Sequence, residues 1–203
     1  MSKKEFISNI IWLGGLIIVL FVVRRFVMSP VAVSGDSMVP TLEDRQRVIQ
    51  FKMSEIKRFD IVTFPAPDQP DQNYIKRVIG LPGDSLSFKN DELYINGEKI
   101  NESYLDDVKS DMQDGVVYTA YRTSDGEMLT DFTLMDIESV RVDVIPEGKV
   151  FVLGDNRPIS KDSRYIGLID LEDITGDVKF RFWPIFIKDE DSGKLDIKIG
   201  TLD

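Results

Sequence analysis

The sequence predicts a mainly β fold that follows a single N-terminal transmembrane helix. Two observations support this fold class: one long uncharged apolar run near the N-terminus, and a series of short β-like segments separated by turns rich in proline, glycine and asparagine. With 203 residues, 42% of them hydrophobic, the chain can form one substantial core or one domain with a large insertion. We detect no internal repeat, and we expect no helix after the anchor.

Residues 1–28 are predicted to form a short head and a membrane anchor. Residues 7–23 carry no charge and span roughly 26 Å as a helix, which crosses a bilayer if Arg24 and Arg25 reach towards the interface. The alternative is a cleavable signal peptide with a small-x-small site at 32–34, but such peptides usually have an apolar run of only about 7–15 residues. The basic residues flanking the run are balanced, so they do not determine its orientation.

The β-like segments after the anchor are rich in branched and aromatic residues and are bounded by turns. They lie at 31–33, 47–51, 60–64, 74–79, 93–100, 149–153 and 177–183. Asn96-Gly97 predicts a type I′ turn that makes 93–100 a hairpin. Pro65 and Pro67 predict the end of the third strand. We expect these strands to form a β-sheet or partial barrel.

The negative charge is concentrated in one segment. Residues 89–148 contain 15 acidic and 5 basic residues, which accounts for the whole net charge of −10. We therefore predict a solvated acidic insertion at 89–148, within a neutral β body formed by 29–88 and 149–203 that can lie against a lipid surface. The charge argues against sequence-independent binding of nucleic acid, which requires a basic surface.

The candidate chemistry depends on serine and lysine. The chain has no histidine and no cysteine, which excludes Ser-His-Asp and Cys-His catalysis and leaves a zinc site without its preferred ligands. Ser37 lies in a turn-prone segment at 34–41, and Lys76 lies in an apolar strand, where burial disfavours the charged amine and makes a base available. The alternatives are an ordinary turn serine and an edge-strand lysine. Val39 departs from the Gly-x-Ser-x-Gly elbow.

A third polar cluster occupies residues 154–164, with the sequence Gly-Asp-Asn-Arg-Pro-Ile-Ser-Lys-Asp-Ser-Arg. Taken alone it is a charged surface loop, and its spacing fits no calcium-binding loop. The three clusters together, Ser-Gly-Asp-Ser-Met-x-Pro-Thr, Tyr-Ile-Lys-Arg-Val-Ile-Gly-Leu-Pro-Gly-Asp and this loop, resemble the motif series of bacterial type I signal peptidases. The resemblance covers about 31–88 and 149–184, and the single anchor is most similar to the Gram-positive form.

The resemblance implies a membrane-anchored endopeptidase that cuts signal peptides from exported preproteins after small-x-small sites. Ser37 would be the nucleophile, Lys76 the general base and Ser160 the group that hydrogen-bonds to and orients the Lys76 amine. No metal or organic cofactor is implied. The catalytic part would lie outside the plasma membrane, in contact with lipid, and a partnership with the translocation machinery stays open. The resemblance does not explain the acidic insertion.

The resemblance also implies supporting and substrate-binding residues. Two structural ion pairs are implied, Arg77 with Asp155 and Asp162 with Arg164. Residues expected to bind the small side chains of the substrate are all apolar or aromatic: Val31, Val33, Met38, Leu42, Val48, Tyr74 and Ile75. Many relatives carry a hydroxyl residue two positions before the nucleophile, where its side chain can donate a hydrogen bond to the oxyanion, but this chain has Gly35 there.

Two other functions fit parts of the sequence. A non-catalytic assembly factor of the same fold would be anchored in the membrane in the same way, but it is expected to lack the serine and the lysine. A self-cleaving Ser-Lys repressor would need a basic DNA-binding module where this chain has an apolar anchor.

Overall fold

The structure is a computed structural model, which describes residues 3–112, 116–188, 195–197 and 199–202. It begins with helix α1, Lys3–Val22, which continues as a π-helical turn, Val23–Val27. Together these 25 residues form a helix long and apolar enough to cross a membrane, and none of it is buried against the body. The helix is longer than the predicted span because its charged flanks are helical as well.

Sixteen strands follow in the part of the chain that the structure describes. They are β1 Met28–Ala32, β2 Arg47–Phe51, β3 Ile61–Ala66, β4 Gln69–Gly80, β5 Leu86–Lys89, β6 Glu92–Ile95, β7 Glu98–Ile100, β8 Tyr121–Arg122, β9 Met128–Leu129, β10 Phe132–Thr133, β11 Lys149–Leu153, β12 Ile169–Asp170, β13 Gly176–Trp183, β14 Phe186–Lys188, β15 Leu195–Ile197 and β16 Gly200–Thr201. The predicted mainly β fold with an N-terminal apolar helix is confirmed.

Short helices also occur, contrary to our expectation. They are α2 Asp106–Ser110 and α3 Ser163–Ile166, with single 3₁₀ turns at Ser103–Leu105 and Leu171–Asp173. Each is too short to show an apolar periodicity, which explains why the sequence pattern did not predict them.

The main sheet is open and antiparallel. Its order is β1-β2-β13-β3-β4-β11-β12, and β16 pairs with β13. The late strand β13 lies between β2 and β3, so the two ends of the chain are joined in one sheet. The sheet does not close into a barrel, and β1 and β12 are its edges among the described strands.

The third predicted strand continues through Pro65 to Ala66 rather than ending there. The pairing register with β4 shifts between these two residues, and an irregularity of this kind tolerates a residue without a backbone N–H. Strand β4 correspondingly begins at Gln69, before the predicted start, and its first five residues are exposed. The predicted hairpin forms between β6 and β7, with φ of 54° at Asn96 and 84° at Gly97.

A second sheet, ordered β10-β5-β6-β7, carries much of the acidic segment. Its strand β5 begins at Leu86, before residue 89, so the pairing crosses the predicted boundary of the insertion. One apolar cluster joins the two sheets: Phe88, Leu93 and Phe132 pack with Ile79 and Phe151 of the main sheet. The acidic segment is thus attached through a shared core and is not a separately solvated body. The division at 89 and 148 stays a prediction.

We expect Phe88→Ala to destabilise the whole protein by about 3–5 kcal/mol, because Phe88 is fully buried and stacks on Phe132 with ring centroids 5.0 Å apart. Urea unfolding, followed by circular dichroism and tryptophan fluorescence, should show one transition at a lower midpoint. Met53→Ala, at a side chain that is 78% exposed, serves as the control. A separate early transition of the acidic segment would contradict the shared core.

Candidate active site

Ser37 and Lys76 are in direct contact. Ser37 lies in the turn that follows β1, and Lys76 lies on β4, where the Lys76 Nζ atom donates a hydrogen bond of 2.7 Å to Ser37 Oγ. The turn is closed by hydrogen bonds from Val39 N–H to Asp36 O and from Leu42 N–H to Met38 O. Gly35 enters it with a φ of +83°, which glycine adopts without strain.

Lys76 is 3% exposed, and this burial sets its chemistry. Loss of hydration lowers the pKa of the Lys76 amine to about 8, against the opposing effect of the Asp162 and Asp155 carboxylates, while Arg164 lowers it further. A substantial neutral fraction therefore exists near neutral pH. A neutral amine at hydrogen-bonding distance can take the proton of the serine hydroxyl.

Asp155 joins the loop 154–164 to the two reacting segments. Its carboxylate accepts hydrogen bonds of 2.9 and 2.7 Å from the Arg77 guanidinium, and both side chains are buried. It also accepts a 2.5 Å hydrogen bond from the Thr41 hydroxyl, in the nucleophile turn. The next residue, Asn156, donates its backbone N–H to Ser37 O at 3.1 Å. The implied pair of Arg77 with Asp155 is therefore present in the structure.

The second implied ion pair also forms and is fully buried. Arg164 Nη2 lies 2.8 Å from Asp162 Oδ2, and this oxygen accepts the Gly154 N–H at 3.1 Å. Burial raises the pKa of the Asp162 carboxyl, but the charge and hydrogen bonds of Arg164 outweigh it and hold the pKa below its usual value. Asp162 therefore stays ionised and caps helix α3.

Ser160 does not make the implied hydrogen bond to Lys76. Its hydroxyl is buried and has no hydrogen bond of standard geometry, although it is close enough to Asp162 to help lower the pKa of that carboxyl. It lies against Gly154: a Cβ atom built there would be 2.1 Å from Ser160 Oγ and 2.4 Å from Ser37 O. The serine is therefore beside the dyad, but its role in orienting the amine stays a prediction.

A cleft of about 820 Å³ opens beside Ser37 and Lys76. Five predicted substrate-binding residues line it: Val31, Val33, Met38, Tyr74 and Ile75. Leu42 and Val48 do not; they are buried below it, packed with Val33 and Met38. Side chains alternate between the two faces of β2, and Val48 lies on the buried face. Leu42 lies one turn of the chain after Met38, and its N–H donates a hydrogen bond to Met38 O.

Several cleft residues were not predicted. They are mostly polar or small: Pro30, Ala32, Ser34, Gly35, Asp36, Gln50, Gln72, Asn73, Ile159 and Lys161. Gln72 and Asn73 belong to the polar half of β4, which has no apolar alternation to mark it as a strand. Lys161 forms an ion pair with Asp68, and the residues next to Asp68 in the sequence do not predict this contact. Among the described residues, no group of three or more His, Cys, Asp or Glu side chains could hold a metal ion.

A serine hydroxyl held by a buried lysine amine, in an open β scaffold without histidine, defines the class of Ser-Lys hydrolases. Residues 5–183 match the family model described as "Signal peptidase, peptidase S26". The chain belongs to this family, which confirms the resemblance found in its motifs.

Relatives and a solved structure agree with this assignment. The chain is 41% identical over 189 residues to signal peptidase IB of Staphylococcus aureus strain Mu50, covering 90% of this chain and 92% of the relative. It is 43% identical over 170 residues to signal peptidase I of Bacillus caldolyticus, covering 82% and 85%. A crystal structure of a signal peptidase I from Enterococcus faecalis V583 matches 61% of this chain and 97% of that chain, with a TM-score of 0.54 and 40% identity.

The pKa of Lys76 predicts the pH dependence of catalysis. We expect kcat/KM to rise with pH along an acidic limb with a midpoint near 8, and to level off above it, because the protonated amine cannot accept the serine proton. The measurement is a pH series on a short peptide substrate, with enzyme stability checked at each pH. A flat profile from pH 5 to 9 would count against Lys76 as the base.

Gly35→Ser should not create a better oxyanion site. A Cβ atom at Gly35 meets nothing within 4 Å, but the φ of +83° is unfavourable for any other residue, by roughly 1–2 kcal/mol. We expect the thermal midpoint and kcat to fall together, with a smaller loss for Gly35→Asn, since asparagine tolerates this conformation better. A rise in kcat at an unchanged midpoint would contradict the conformational explanation.

Proposed function

We propose that this protein is a membrane-anchored serine endopeptidase that removes N-terminal signal peptides from exported preproteins after small-x-small sites. The observation that carries the proposal is the 2.7 Å contact between Ser37 Oγ and the buried Lys76 amine, at the wall of an open cleft. The names of the relatives support the substrate class, since all those compared are signal peptidases.

The two residues can carry the whole reaction. The Ser37 hydroxyl attacks the scissile carbonyl while neutral Lys76 accepts its proton. The resulting ammonium then gives the proton to the leaving amine, which departs as the new N-terminus, and the acyl group remains on Ser37. Lys76 next takes a proton from water, the hydroxide attacks the ester, and Ser37 recovers its proton. The backbone N–H of Ser37 would stabilise the oxyanion.

The cleft suits a substrate with small side chains near the cut. Its apolar wall comes from Val31 and Ile75, which are only partly buried, and from the deeper Val33 and Met38. Strand β1 begins at Met28, directly after the apolar helix, so this wall lies within a few residues of the anchor. A cleavage site that emerges from the bilayer could therefore reach the dyad.

The apolar N-terminal helix and the signal peptidase relatives support a proposal for the location. We infer a single-pass protein of the plasma membrane, whose catalytic part lies on the extracytoplasmic face, where preproteins arrive from the translocation machinery. The charges beside the anchor are balanced and leave the sidedness to experiment. Protease protection in sealed vesicles of known orientation would test it. A non-catalytic assembly factor is less well supported, because both Ser37 and Lys76 are present and in contact.

The function is tested with the purified full-length protein in detergent and one labelled preprotein whose signal peptide ends in Ala-x-Ala. We expect a single cut after that sequence, identified by N-terminal sequencing of the product. Failure to cut, with a protein that unfolds cooperatively, would refute the proposed function.

Ser37→Ala and Lys76→Ala should each reduce kcat by at least about 10³-fold, and the double variant should be scarcely worse than either, because the two side chains act as one unit. Lys99→Ala, which removes an exposed lysine from a surface ion pair, is the control. Initial rates on the same preprotein measure the effect, and losses that multiply in the double variant would contradict a dyad.

A further inference from the structure

The acidic segment contacts the loop 154–164 through a buried arginine. Arg157 is 1% exposed, and its Nε atom donates to Gly154 O, within the loop, at 3.0 Å. Its other nitrogens donate to three side chains of the acidic segment: Glu102 Oε1 at 2.5 Å, Tyr104 OH at 2.9 Å and Thr119 Oγ1 at 2.9 Å. The loop is therefore joined to the acidic segment by a buried side chain.

Two further contacts connect the same two regions, and a third joins the acidic segment to strand β4. The Tyr118 hydroxyl donates to Asp155 O at 2.9 Å, and Arg164 Nη1 donates to Ala120 O at 2.6 Å. The ring of Tyr104 lies 4.0 Å from the guanidinium carbon of Arg77, the partner of Asp155. The acidic segment thus contacts Arg77 and Arg164 directly and the backbone of Asp155.

The loop in turn determines where Ser37 lies. Asn156 donates its backbone N–H to Ser37 O and its side-chain N–H to Asp36 O, each at 3.1 Å. Gly154 packs so closely that an added Cβ would be 2.4 Å from Ser37 O. A loop displaced by a fraction of an ångström would therefore shift the nucleophile relative to Lys76.

Glu102 is charged in spite of its burial. Burial raises the pKa of its carboxyl, but the charge of Arg157 and the hydrogen bonds from Arg157 and Tyr104 outweigh this, so the pKa lies below its usual value. Its second oxygen makes no hydrogen bond among the described residues, and Lys109 Nζ lies 3.7 Å from it. Apolar residues of similar volume often stabilise a core as well as a buried ion pair does. Stability alone therefore does not require a charged pair at this position.

We propose that Glu102 is a positioning residue of the peptidase, which, through Arg157, fixes the loop 154–164 against Ser37 and Lys76. The inference rests on the proposed function of the Ser37–Lys76 site, and it gives the acidic segment a part in catalysis. Deleting the segment would leave the Arg157 guanidinium without its three side-chain partners.

The test compares two substitutions with the same chemistry. Glu102→Gln weakens the buried pair, and Glu92→Gln is the matched control. Glu92 also accepts a hydrogen bond from the tyrosine two positions later, Tyr94, and pairs with a cation, Lys99, but that cluster is on the surface. Both variants are made in the full-length protein, and their unfolding midpoints are measured first.

We expect Glu102→Gln to lower kcat by about 10- to 100-fold with KM within about twofold, because the loop positions the reacting atoms and does not line most of the cleft. The acidic limb of the kcat profile should move to higher pH. The charged groups facing Lys76 are Asp162, Asp155 and Arg164, but burial has the largest influence on its pKa. A looser loop admits water to the amine, which weakens the effect of burial and raises the pKa of Lys76. Glu92→Gln should match the wild type in kcat, in KM and in the position of the acidic limb.

A direct titration separates this inference from the proposed function. Lysine labelled with ¹³C at Cε reports the Lys76 pKa by NMR without any substrate, with Lys76→Ala used to assign the signal. If the wild type cuts no preprotein but the Lys76 pKa rises in Glu102→Gln alone, the function is wrong and the positioning role stands. A folded Glu102→Gln with wild-type kcat, pH profile and titration would overturn the positioning role.

A second variant covers the case in which Glu102→Gln does not fold. Glu102→Leu with Arg157→Met removes both charges, so no unpaired charge stays buried. We expect this double variant to fold and to show the same loss of kcat, because the bond from Arg157 to Gly154 O is gone. Wild-type kcat in the folded double variant would overturn the proposal. Loss of folding in both variants would also overturn it, since the pair would then stabilise the chain as a whole.

Discussion

The removal of the Lys76 amine from water is the constraint on which the rest of the structure depends. Without histidine or cysteine, the chain needs a lysine that is partly neutral near physiological pH. Desolvation is the largest cause of the lowered Lys76 pKa; Arg164 adds to it, and Asp162 and Asp155 act in the opposite direction. Strand β4 brings Lys76 to Ser37 from the interior of the sheet, where Lys76 pairs with Val62 of β3 and the next residue, Arg77, pairs with β11. The position of the base is therefore as rigid as the sheet.

The two carboxylates near Lys76 raise its pKa and so favour its charged form. Each of them is paired with an arginine. Arg77 binds Asp155 and Arg164 binds Asp162, in pairs that are buried almost completely. Such pairs contribute little net stability compared with apolar packing, but breaking one by removing a single partner costs about 3–5 kcal/mol. They connect the loop to strand β4 and to its own backbone, and the acidic segment contacts both arginines directly: Ala120 O accepts a hydrogen bond from Arg164, and the Tyr104 ring lies against the Arg77 guanidinium.

Local sequence patterns predicted the features that depend on residues close together in the chain. The absence of histidine indicated Lys76 as the candidate base, and Asn96-Gly97 predicted the hairpin between β6 and β7. Pairings between distant parts of the chain have no such signal: nothing near Glu102 indicates a partner 55 residues away, and nothing in 177–183 shows that β13 enters between β2 and β3. Leu42 and Val48 were placed in the cleft because an apolar side chain suits a wall and a core equally well, and only the packing distinguishes the two.

The most direct test of the central claim replaces the amine itself. Because the chain has no cysteine, Lys76→Cys carries a single thiol, which can be alkylated with 2-bromoethylamine to give a lysine analogue with sulfur in the side chain. The sulfur lowers the intrinsic pKa of the new amine. We predict that Lys76→Cys is inactive, and that alkylation restores cleavage with an acidic limb at lower pH than in the wild type. A folded, fully alkylated protein that stays inactive, or recovers with an unchanged limb, would contradict Lys76 as the general base.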